Sequence, residues 1–149
     1  MTCAGCRNVT KDSNVKVAEG ARSAVFRNLK RAAYHRVRVD GCLIKNKTAA
    51  DFMVSCPGVG SVVVELKGTD VEHAVDQIDA TLEHVKGCEK LKELRPFAGL
   101  VVCARYPRFD TGLQRLTKKF VAKHKVPIHV VAKNDEFDLE KVLKFDGPK

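Results

Sequence analysis

The chain has 149 residues, 44% of them hydrophobic, and a formal charge of +9 with a pI near 9.4. That length suits one ordinary domain with enough apolar side chain for a core, and no apolar run approaches the roughly 20 residues of a membrane helix. The positive balance points to phosphate-bearing partners rather than to a membrane, and without a basic-then-apolar leader at its N-terminus the chain is expected in the cytoplasm.

In chain order, Cys3-Ala-Gly-Cys6 has the spacing of half a zinc knuckle. No second pair follows at a fitting distance, so zinc is not expected there. Cys42, Cys56, Cys88 and Cys103 complete a set of six cysteines. With no other sign of an oxidising compartment, most of the six are read as free thiols packed like small apolar residues, Cys103 in particular. A short helix is expected around Asn8 to Ala18. Strands follow at Ser23 to Leu29 and Tyr34 to Asp40. In the second, His35, Val37 and Val39 alternate with Arg36, Arg38 and Asp40, which leaves one face polar and basic.

Ala50 to Val54 and Ser61 to Lys67 read as two further strands joined by Cys56-Pro-Gly-Val-Gly60, a hairpin connection. Thr69-x-x-Glu72 is a capping box. Val71, Ala74, Val75, Ile78, Leu82 and Val85 then recur at helical spacing until Gly87, so the spacing predicts a helix over Asp70 to Lys86. Phe97 to Ala104 is a continuous apolar run of the buried parallel kind. Asp110 or Thr111 caps a second helix carrying Leu113, Leu116, Phe120 and Val121, and Pro127 to Val131 returns as a strand. The charged tail from Asp135 holds one helical turn around Leu139 to Leu143. The fold class is therefore α/β, one domain with a mixed sheet flanked by helices.

Charge is unevenly spread. Six Lys/Arg and no acid lie between Arg22 and Arg38, and Lys118, Lys119, Lys123 and Lys125 form a second cluster. Each cluster fits a nucleic-acid contact or a solvated face equally well. Arg105 and Arg108 follow the end of the Phe97 strand, where sites collect in α/β sheets, and suit phosphate or loop carbonyls.

The chemistry concentrates in Asp51 and Val62-Val-Val-Glu-Leu-Lys-Gly68. Glu65 and Lys67 leave one face of a strand together while Leu66 points to the other. Should the hairpin bring Asp51 alongside, two carboxylates converge beside a lysine, the hard-oxygen arrangement that Mg²⁺ prefers. Spacing alone fits a surface Glu–Lys pair beside an unrelated Asp just as well.

Asp51, the strand ending Glu65-Leu-Lys67, and the following helix with Gln77 resemble the PD-(D/E)xK nuclease superfamily. The resemblance implies an αβββαβ restriction-endonuclease-like core over residues 49 to 104, with Asp51, Glu65, Lys67 and Gln77 catalytic. It makes Asp51, Glu65 and the Leu66 carbonyl ligands of Mg²⁺ or Mn²⁺, and Glu19 a further acid from an N-terminal helix. Two departures stand out: Ala50 replaces the leading proline, and Thr81 replaces a tyrosine that accompanies the helix glutamine in some branches.

The expected activity is thus metal-dependent hydrolysis of phosphodiester bonds, with nucleic acid held by Arg36, Arg38, Arg105, Arg108, Lys118 and Lys119. DNA is favoured over RNA because most of that superfamily cuts DNA. A homodimer is left open. The competing expectations are a ribonuclease, as a toxin or defence effector using the same residues, and a nucleic-acid-binding module without turnover.

Overall fold

The computed structural model describes residues 6–67, 70–88, 91, 94–104 and 111–148. Among them the chain runs β1 (Arg7–Thr10), β2 (Asn14–Glu19), β3 (Arg22–Arg27), β4 (Tyr34–Arg38), β5 (Phe52–Cys56), β6 (Gly60–Leu66), α1 (Val71–Lys86), β7 (Phe97–Cys103), α2 (Thr111–His124), β8 (Ile128–Ala132), β9 (Asp135–Phe137) and α3 (Leu139–Val142). It is an α/β protein with two mixed sheets.

The larger sheet has the order β1-β4-β5-β6-β7-β8. Its β1 to β6 half is antiparallel, whereas β6, β7 and β8 are parallel. The smaller sheet, β2-β3-β9, lies across one face of the larger, and α1 and α2 cover the other. Every residue of β6 and β7 is buried, as strands covered on both faces must be. Alternation along β6 sends Val63 to the helical layer and Val62, Val64 and Leu66 to the second sheet. α1 rides close over β7: a Cβ on Gly99 would meet Ile78 Cγ2 at 3.0 Å and Ile128 Cγ1 at 3.1 Å.

The β5–β6 hairpin turns on Pro57 and Gly58, the latter at φ +87°, with Val59 N–H bonded to Cys56 O at 2.9 Å. On α1 the expected stripe is buried together with Thr81. Asp70 caps the helix, its Oδ1 accepting from His73 N–H at 3.0 Å, and Gly87 ends it. Thr69 and Asp110, the other expected caps, lie outside the described residues.

Two expectations are corrected. The helix around Asn8 to Ala18 is instead β1 and β2: Val15 and Val17 are buried between exposed Asn14, Lys16 and Ala18, the two-residue period of a strand, and β2 pairs with β3. No helix therefore precedes β4 among the described residues, and the leading helix of the αβββαβ core is replaced by strands. The cysteines are also not mostly free. Cys6 bonds Cys42, Cys88 is disulfide-bonded too, and Cys56 and Cys103 are the buried free thiols. The bond to Cys42 takes the Cys6 sulfur out of any zinc knuckle, and Cys3 lies outside the described residues. No helix among the described residues is long and apolar enough to cross a membrane.

Candidate active site

Extending the β5–β6 register by one residue sets Asp51 opposite Glu65. The two side chains take over hydrogen bonds at the strand end. Asp51 N–H donates to Glu65 Oε1 at 3.0 Å, and Leu66 N–H donates to Asp51 Oδ2 at 2.9 Å. Both carboxylates therefore meet on the helical face of the sheet. Glu65 is almost wholly buried, its side chain 3% exposed, and the nearest cation, Lys67 Nζ, stands 3.8 Å from Oε2.

Lys67 Nζ in turn donates to Gln77 Oε1 at 3.1 Å, and Gln77 Nε2 donates to Ala49 O at 3.1 Å. Ala50 N–H donates to Thr81 Oγ1 at 2.8 Å, and that hydroxyl donates to Gln77 O at 2.8 Å. One helix turn thus fixes both the lysine and the segment leading into Asp51. Asp51, Glu65, Lys67 and Gln77 form a single cluster, joined by hydrogen bonds and, between Glu65 and Lys67, by the 3.8 Å ion pair.

Electrostatics follows from this crowding. Burial, then the neighbouring Asp51 carboxylate, pushes the Glu65 carboxyl up to about 8 against the pull of Lys67. Burial also holds Asp51 above the ordinary carboxylate range against the Leu66 N–H, and the negative charges of Glu19 and Asp40 add to the rise. The pair therefore retains a proton that isolated carboxyls would lose. Two hard oxygen donors that repel one another in a poorly hydrated place fit a divalent cation, which would displace that proton and cancel the repulsion.

The other expected residues spread around this centre. Leu66 contributes its backbone here while its side chain is buried on the opposite face. Glu19 ends β2 with Oε2 3.9 Å from Arg38 Nη2, close enough to raise Asp51, but it comes from a strand and not from a helix. Arg38 is exposed, its guanidinium 5.9 Å from the Phe52 ring centroid. Arg36 is largely spent on the protein, bonding Asn8 Oδ1 and Lys16 O. Lys118 and Lys119 are exposed on α2, which packs on α1 and β8. Arg105 and Arg108 lie outside the described residues.

Sequence reading missed two features. Thr81 stood out only as a departure, although its place four residues after Gln77 is a signal that both share a helix face. The second is a group between α1 and α2, where Asp79, Glu83 and His124 bring ligand atoms within 4.8 Å of one another. Lys123 Nζ already occupies the acids, 2.9 Å from Asp79 Oδ1 and 3.4 Å from Glu83 Oε1. Lys86 Nζ sits 2.6 Å from His124 Nδ1, and an ammonium only donates. The ring proton is then on Nε2, facing Asp79 Oδ1 at 2.5 Å, which leaves no lone pair there for a metal. The group is a clasp between helices.

Compared with known proteins, the chain matches no family model, no curated protein and no solved structure.

Proposed function

We propose that this chain is a metal-dependent nuclease of the PD-(D/E)xK type, hydrolysing phosphodiester bonds in DNA ahead of RNA. What supports the reading is the convergence of one buried carboxylate, one half-buried carboxylate and an anchored ammonium at one end of the sheet. Such a cluster is costly for a fold to keep unless a cation and an anionic substrate complete it. Asp51 and Glu65 would hold Mg²⁺ or Mn²⁺, with the Leu66 carbonyl as a third donor. When bound, the ion polarises the phosphate and makes water more acidic. Lys67, steered by Gln77, donates toward a phosphate oxygen or the attacking water, and its charge offsets the negative charge that develops on phosphorus oxygens. The bonded cysteines favour an oxidising compartment over the cytoplasm expected from the sequence.

The roles separate by substitution. Asp51→Asn and Glu65→Gln each remove a negative donor while keeping an acceptor for the backbone amide, so Mn²⁺ affinity and cleavage fall together. Lys67→Ala removes no donor, so Mn²⁺ binding persists while turnover drops on the order of 10²- to 10⁴-fold. Calorimetry beside cleavage of supercoiled, branched and single-stranded DNA and of RNA measures both. Full cleavage by Glu65→Gln and Lys67→Ala would end the nuclease reading.

A further inference from the structure

Along the open side of the molecule the edge strands β1 and β2 belong to different sheets and stand apart. Between them runs a groove with a cavity volume of about 520 Å³. Arg36 spans its floor, donating from Nε and Nη2 to Asn8 Oδ1 at 3.3 and 2.7 Å and from Nη1 to Lys16 O at 3.1 Å. Exposed Arg7, Lys16 and Arg38 rim it, and half-buried Phe52 supplies an aromatic wall. The Cys6–Cys42 disulfide lies in its lining and ties β1 to the loop after β4.

The groove lies on the second-sheet face, where Arg36, Arg38 and Phe52 point, and the carboxylates turn to the helical face of the same strand end. Phe52 follows Asp51 directly, and Val39 N–H, next to Arg38, donates to Asp51 O at 3.0 Å. A volume of this order is that of a small-ligand cleft, ample for part of one strand. Three cations beside one aromatic ring are the pairing that single-strand binders use, charge for phosphates and a π-face for a base.

We infer that this groove holds a single nucleic-acid strand, its phosphates on Arg7, Lys16 and Arg38 and a base against Phe52, beside the strand end that carries Asp51. The inference rests on the nuclease reading for its choice of a polynucleotide as ligand. It makes the substrate a polynucleotide with a single-stranded segment, such as an arm, flap or overhang.

Fluorescence anisotropy on the Glu65→Gln protein tests it without turnover, using labelled oligothymidine and a blunt duplex of equal length. Adding Arg7→Glu with Lys16→Glu should weaken oligothymidine binding about tenfold, while the duplex changes less than about twofold. With Arg7→Gln and Lys16→Gln, which remove charge without reversing it, the single-strand salt slope falls by about 1.4, roughly 0.7 for each lost contact. Equal weakening of both probes, or of neither, overturns the groove. Cleavage is scored separately in chains that keep Glu65. Strand binding that follows the groove variants without any metal-dependent cleavage refutes the nuclease reading alone, whereas cleavage of oligothymidine undiminished by the groove variants refutes the groove alone.

Discussion

The Thr81 hydroxyl, wholly buried, accepts from the Ala50 N–H just before Asp51, and Gln77 holds the carbonyl of the same peptide group. Thr81→Val keeps the shape but leaves the Ala50 N–H without its partner, a cost of about 1–3 kcal/mol. Because that amide locates Asp51, cleavage should fall by more than the loss of folded protein accounts for, and Thr81→Ser should restore both. Thermal melts beside a cleavage assay measure the two effects, and an unchanged rate in Thr81→Val would make the bond merely structural. At this scale the site is legible as a set of residues but not as a set of properties. Strand alternation places Glu65 with Lys67, and a hairpin register places Asp51. The rise of Glu65 to about 8 depends on burial in the folded chain and on the charge of Asp51, and no local spacing carries that information.

The α1–α2 clasp gives the helical layer an acid limit. Burial acts to raise Asp79, but hydrogen bonds from His124 and Lys123 outweigh it and hold the carboxyl below its ordinary value of 3.8. A group held down in this way stabilises the fold above about 3.8, and the stabilisation is lost as pH falls from there through the lower folded value. Asp79→Asn should therefore melt earlier at neutral pH yet lose less than the parent chain on acidification, with helical circular dichroism as the readout. Identical acid profiles would show that the clasp contributes nothing there. Elements whose apolar period spans several turns, such as α1, were legible because one buried stripe repeats. The stretch from Asn8 to Ala18 was not, since β2 has six residues and owes its state to pairing with β3, a tertiary partner that local pattern does not name.

Across the whole molecule, the Cys6–Cys42 bond closes a loop of 36 residues that runs through β1 to β4. Constraining so long a segment of the unfolded chain contributes on the order of 2–4 kcal/mol, so Cys6→Ser with Cys42→Ser should lower the urea midpoint accordingly. Alkylation of the native protein before denaturation should leave Cys6 and Cys42 unmodified, and modification there would remove the cross-link from the account. Cysteine spacing did not foretell the bond, since pairing depends on which loops the sheet brings together and not on distance along the chain. The α/β class was legible because β7 announces itself as an uninterrupted apolar run between two amphipathic helical stretches. The second sheet was not, because its third strand, β9, is three residues of a charged tail that joins β3 from the far end of the sequence.

Asp51 and Glu65 each accept a backbone amide at the end of the hairpin, whereas the Lys67 ammonium, among the described residues, bonds the Gln77 side chain and faces Glu65. Evolutionary drift would treat the three differently. On the nuclease proposal, a descendant without catalysis would still be under pressure to keep an acceptor at positions 51 and 65, because the hairpin end loses two hydrogen bonds without them. Nothing of that kind protects position 67. Retention of the two acids in a lineage would then report an intact architecture, and the lysine would be the position whose loss marks a retired enzyme.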